Sequence, residues 1–180
     1  ELDNLNKLTK YGQLELIQTQ TTSDGTTAVS FTNLSDYMVH LMVWSNLCAT
    51  SAETNTTFRL SNDGGSSYIA SDYQYGHYFQ RPTSPLSLNN NSSNFMGFAN
   101  NLFTGVSGNG YAYFYNLIDS TKYSFNTYHG VSDSNTVEST IGGAYRPVTA
   151  ETHNAVQLTC NTDSFTAGGT VSLYGLRTYK

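Results

Sequence analysis

Charge is scarce in this chain. Of its 180 residues, 13 are Asp or Glu and only eight are Lys or Arg, so charged residues make up 12%, about half the usual share. The eight basic residues are scattered and the net charge is −5. That excludes a nucleic-acid-binding surface, which needs a concentrated basic patch to replace phosphate counterions. No apolar run approaches the ~20 residues of a membrane-spanning helix. Cys48 and Cys160 are the two cysteines and lie far apart. They are too few for a disulfide framework and leave open whether they pair or stay buried as thiols. Proline is rare, and Pro82 and Pro85 stand together where they close a segment. Ser, Thr, Asn and Gly take the place of charge. Burial is supplied by 14 Tyr, 9 Phe and many Val, Leu and Ile residues, which excludes a disordered chain. Tyrosine at this frequency suits half-buried sheet surfaces and binding surfaces alike.

The opening "ELDNLNKLTKYG" differs from the rest of the chain. Leu2, Leu5 and Leu8 recur at a spacing of three, the pattern of a short helical turn or docking arm, or else of a frayed terminus. From Gln13 onward, strand-like runs alternate with turn residues. The pattern predicts strands over 13–20, 26–32, 37–47, 56–61 and 68–80, then near 95–98, 102–106, 111–118, 122–128, 144–148, 154–160 and 170–179. "TSDGT", "NLSD" and "SNDGGSSY" supply the turns, and "SLNNNSSN" reads as a polar loop. Beyond the first residues no long segment has helical periodicity. The expectation is an all-β fold, an antiparallel sandwich or jelly roll of about ten strands. Residues 1–12 form an arm and residues 13–180 a single domain.

Two predicted strands are apolar on both faces. Met38, His40, Met42 and Trp44 alternate with Tyr37, Val39, Leu41 and Val43; Tyr111, Tyr113 and Tyr115 alternate with Ala112 and Phe114. A sandwich strand usually keeps one wet face. These strands are therefore covered either by their own chain or by a second subunit, which makes Met38, His40, Met42, Trp44, Tyr111, Tyr113 and Tyr115 candidate interface residues. In the last strand, "TVSLYGL", Gly175 reads as a β-bulge that returns Leu176 to the inner side.

Signals for catalysis are weak. His40, His77, His129 and His153 share no metal-ligand spacing, and the cysteines form no CxxC. "GVSGN" (Gly105 to Asn109) lacks the last glycine of a nucleophile elbow and reads as a turn. Asp63 beside Gly64 and Gly65 reads as a hairpin and not as a metal or phosphate loop. No catalytic residue, metal ligand or cofactor is expected. The sharpest binding candidate is "SDYQYGHYFQRP", where Tyr73, Tyr75, His77 and Phe79 share one face of an extended strand. Rigid aromatic rings with polar tips suit sugar or protein contacts, and core packing is the alternative.

The order of four phrases resembles a known family. "LELIQTQTTSDGTTAVSF", "DYMVHLMV", "FRLSNDGGSSYIASDYQY" and "FTAGGTVSLYGL" succeed one another between Leu14 and Leu176. They are similar to segments of small β-sandwich domains of tailed-bacteriophage virions, found in tail fibres, head fibres and capsid decorations. The resemblance implies a non-enzymatic virion-surface component, commonly a homotrimer, joined to a fibre shaft or capsid. It implies exposed loops that touch a host-surface glycan or protein. Production in a bacterial cytoplasm would keep Cys48 and Cys160 reduced. Leu2, Leu5 and Leu8 look like the attachment junction of such domains. The stretch from Phe95 to Tyr145 matches in strand-like texture alone, so no receptor contacts carry over. A fibre or receptor-binding domain is the leading expectation. A decoration protein docked by its arm, or a carbohydrate-binding module of a cellular extracellular protein, are the alternatives.

Overall fold

A computed structural model describes residues 13–34, 37–51, 53–83, 85–133 and 137–176. Twelve strands run in order: β1 (Leu14–Thr21), β2 (Ala28–Phe31), β3 (Val39–Leu47), β4 (Thr54–Ser61), β5 (Tyr73–Gln80), β6 (Leu86–Ser93), β7 (Phe98–Leu102), β8 (Gly108–Tyr115), β9 (Phe125–Asp133), β10 (Val137–Tyr145), β11 (Ala155–Cys160) and β12 (Thr170–Leu176). They form an eight-stranded sheet, β1-β12-β3-β8-β9-β10-β5-β6, and a four-stranded sheet, β2-β11-β4-β7. All ten strand pairings are antiparallel. The architecture is the antiparallel β-sandwich expected from the strand pattern, with unequal layers.

Period-two alternation builds the core. β9 and β12 bury every second residue, and β3 turns His40, Met42 and Trp44 inward. Phe58 of β4 meets Trp44, Phe114 and Tyr128 of the large sheet at ring-centroid distances of 5.9, 5.3 and 5.8 Å. Trp44 Nε1 donates to Asn100 Oδ1 at 2.6 Å inside this core, so the one polar atom of the indole is satisfied.

Several expectations change. The Asn-rich "SLNNNSSN", read as a loop, lies almost wholly in β6, an edge strand paired to β5 alone and exposed at seven of its eight positions. An edge strand with water on both faces needs no apolar residues, so alternation could not reveal it. The two strands expected near 95–98 and 102–106 are one, β7. β10 begins well before the strand expected near Ala144, because Gly142 and Gly143 interrupt its apolar pattern. "SNDGGSSY" turns the chain through positive φ at Gly64 and Gly65 (77° and 89°), as its glycines require. It joins no hairpin, since β4 lies in the small sheet and β5 in the large one.

The last strand has no bulge at Gly175. β12 runs in unbroken register along β3, with Gly175 opposite His40 and Leu176 opposite Val39. The irregularity lies across from it, in β1 between Leu16 and Gln18. Leu176 stays on the outward face, half-buried. Leu2, Leu5 and Leu8 lie outside the described residues.

Candidate functional site

The inner face of the large sheet packs on the small sheet, and among the described residues no further strand layer covers its outer face. Register places the outward side chains in rows across the strands. One row runs Leu16, Tyr174, Leu41, Tyr113, Thr127, Gly143 and Gly76. The next runs Leu14, Leu176, Val39, Tyr115, Phe125, Tyr145 and Gln74. On the other flank lie Ser172, Val43, Tyr111, His129, Ile141 and Tyr78. Among the described outward positions of β1, β12, β3, β8, β9, β10 and β5, Asp133 at the tip of β9 is the single Asp, Glu, Lys or Arg. Leu14, Leu16, Tyr111, Phe125, Val131, Val137 and Ile141 are each 39–59% exposed here. Charge is thus least frequent where apolar side chains are most exposed, the composition of an interface core.

The predicted interface residues divide between the two faces. Tyr111, Tyr113 and Tyr115 do stand on the open face, as a ladder with ring centroids 6.0 and 6.4 Å apart. His40, Met42 and Trp44 are buried in the sandwich core, so they are covered by their own chain. Met38 is half-buried at the bend before β3. The outward face of β3 is the alternate one, with Val43 exposed, Val39 half-buried and Leu41 buried.

Toward the other edge, the open face holds a cleft of about 700 Å³ where β9, β10, β5 and β6 lie side by side. Gly143 and Gly76 sit opposite each other across the β10–β5 pair. Thr127 flanks them on β9 and Asn89 on β6. Two adjoining positions without side chains make a trough whose floor is backbone. Phe125 and Tyr145, stacked at 5.3 Å and 9° between ring planes, stand beside it. Gln74, Asn90 and Asn91 complete the rim, and among the described residues no charged side chain or histidine lines the cleft. Burial pushes the Tyr75 hydroxyl up from its ordinary pKa, a shift opposed by a hydrogen bond to the Asn90 side chain.

The aromatic face expected to meet a ligand points the other way. Tyr73, His77 and Phe79 are buried at 0%, 5% and 5% exposure, and Tyr75 is half-buried. The Tyr73 hydroxyl accepts from Leu60 N at 3.0 Å and donates to the Ile69 carbonyl at 3.3 Å. His77 stacks on Tyr75 at 5.2 Å and meets Phe79 and Phe98 edge-on at 4.7 and 4.8 Å. Tyr73, His77 and Phe79 are therefore packing residues, and of the four only Tyr75 borders the cleft. Alternation alone says that two faces exist; the more aromatic of the two goes to the core because it has more area to remove from water. The trough residues Gln74 and Gly76 lie on the complementary face of the same strand. Their signal was a polar and a glycine position alternating with aromatics.

Polar clusters elsewhere serve the fold. Ser124 Oγ lies 2.8 Å from His153 Nδ1, and His153 Nε2 lies 3.4 Å from Glu151 Oε1. The order Ser–His–carboxylate resembles a nucleophile relay. Ser124 and His153 are each 1% exposed, however, and Glu151 is engaged by Arg146 and by Asn62 Nδ2. The row is a buried strut between the 116–124 turn and the chain leading into β11. Asp63 accepts from Ser67 N, Ser67 Oγ and Ser61 Oγ, which hold its carboxyl down at about pKa 2. The donors are local, so this is a turn brace. Among the described residues no three His, Cys, Asp or Glu side chains gather as a metal site. Cys48 and Cys160 are both free, and burial pushes the Cys160 thiol up. No helix among the described residues is long and apolar enough to cross a membrane. No family model matches the chain, and no curated protein matches it in sequence.

Proposed function

We propose that this chain is a non-enzymatic structural domain of a bacteriophage virion, of the fibre or receptor-binding type, that assembles as a homotrimer on the virion surface. The observation that carries the assembly is the outward face of β1, β12, β3 and β8, where Leu16, Tyr174, Tyr113, Val43 and Tyr111 stand around the buried Leu41 as an uncharged surface. Such a neutral, tyrosine-rich face has no like charges to repel and much apolar area to cover against a neighbouring copy, and the count of three comes from the resemblance. The virion assignment is supported by the order of motifs between Leu14 and Leu176. A polar, sparsely charged β-sandwich with buried titratable clusters suits a durable surface.

Light scattering of the purified chain should give three times its 19.8 kDa mass. Tyr113→Glu places a charge at the centre of the face and should yield a folded monomer. A wild-type monomer would overturn the assembly. The role in host contact is tested separately, by adsorption of the trimer to bacteria and by competition with infecting phage. A trimer that does neither would refute that role while leaving the assembly standing.

A further inference from the structure

We propose that the glycine-floored trough between β9 and β6 is a binding site for a neutral oligosaccharide. The trough is built within one chain, so the proposal does not rest on trimer assembly.

Its chemistry narrows the ligand. Among the described residues no charged group lines the cleft, so an anion or cation entering it would lose hydration and meet no counter-charge there. A purely apolar ligand would strip water from the carboxamides of Gln74, Asn89 and Asn91 and leave them unpaired. An extended peptide would seek a free strand edge. The floor strands β10 and β5 are instead paired on both sides, so their ladder groups are taken. Sugar hydroxyls both donate and accept, as carboxamides do, which makes amide-rich rims well matched to them. The C–H face of a pyranose packs on aromatic rings, and the Phe125–Tyr145 stack presents such rings beside the floor. Because Gly143 and Gly76 lack side chains, a flat ring can approach the sheet closely between Thr127 and Asn89. A volume of about 700 Å³ lies within the usual range of ligand clefts, roughly 300–1,000 Å³.

Gly76 offers a clean test. A Cβ added there has nothing within 4 Å, and its backbone is not left-handed. Gly76→Val should therefore fold normally and fill the trough. The full chain would be applied to an array of neutral oligosaccharides of glucose, galactose, mannose and N-acetylhexosamines, printed beside sialylated and phosphorylated glycans. The strongest neutral glycan would then be titrated calorimetrically. The expected result is binding to at least one neutral glycan, weakened tenfold or more by Gly76→Val and by Tyr145→Ala, with melting temperatures unchanged for Gly76→Val. Binding should persist in the Tyr113→Glu monomer, which separates this site from the assembly face. An array silent to neutral glycans would overturn the proposal, as would binding restricted to charged ones. If Gly76→Val does not fold, Tyr145→Ala and Asn89→Ala decide the matter. Affinity within twofold of wild type in both of those variants would place the sugar elsewhere and refute the site.

Discussion

The ring of Tyr37 occupies the space that a side chain at position 175 would need. A Cβ built on Gly175 would lie 2.3 Å from Tyr37 Cγ and within 2.5 Å of both Cδ atoms. The tyrosine is held there, its hydroxyl donating to Glu15 Oε2 at 2.6 Å and its ring edge-on to His40 at 5.9 Å. Gly175 is therefore a packing residue in a regular strand, and the glycine that looked like a register shift is a seat for an aromatic ring.

Gly175→Ala should destabilise the fold by overpacking, by about 1–3 kcal/mol. At this chain length each kcal/mol lowers the melting temperature by roughly 2–4 °C. Thermal unfolding checks the cost, and a double-mutant cycle with Tyr37→Ala checks the cause. The double variant should lose less than the sum of the two single losses, because removing the ring vacates the space.

Acid should destabilise the protein in the histidine range. His40 is buried with both ring nitrogens unpartnered among the described residues, and burial pushes its pKa from 6.5 down to about 4. His77, enclosed by aromatic rings, is lowered to about 4 by the same cause. Above pH 6.5 these rings are neutral in both folded and unfolded chains and contribute nothing. Between pH 6.5 and 4 the unfolded chain takes up protons that the folded one resists, so stability falls across that window and levels off below it. For His40 alone the loss is about 3 kcal/mol. Urea unfolding at pH 7 and pH 4.5 measures it, and His40→Leu should flatten the profile.

Arg81 covers a buried carboxylate. Its Nε contacts Glu138 Oε2, and the Glu138 side chain is 0% exposed, with Oε1 left unpartnered among the described residues. Arg81→Ala should cost about 3–5 kcal/mol, since it leaves a buried charge alone. Adding Glu138→Gln removes that charge, and denaturant titration should show the double variant more stable than Arg81→Ala.

Phe58 is the ring on which the two sheets meet, touching Trp44, Phe114 and Tyr128. Phe58→Ala should cost about 3–5 kcal/mol through lost burial and the cavity left behind. Trp44 is the sole tryptophan and is 1% exposed. Its emission should be blue-shifted in the native protein and move to the red in Phe58→Ala, as water gains access to the vacated space.

Much of the fold was legible in the sequence because burial writes its period into the residues. β1, β3 and β11 could be located within two positions at each end, and β12 at its start. β6 was not legible: its alternation is confined to Leu86 and Leu88 before five polar residues, and its pairing to β5 is made by backbone groups that every residue shares. β10 was obscured by Gly142 and Gly143, whose value lies in what stands next to them.

Composition and alternation, being local properties, suffice to mark the chain as all-β, poor in charge and rich in aromatics. It also identified two doubly apolar strands and one aromatic strand as noteworthy. Which face of each turned inward was settled by the packing of the two sheets. His40, Met42, Trp44, Tyr73, His77 and Phe79 went to the core, while Val43, Tyr113 and Gly76 stayed outside. A strand's two faces are equivalent until a second sheet covers one of them. The trough likewise exists only because β10 and β5, far apart in sequence, pair so that Gly143 meets Gly76.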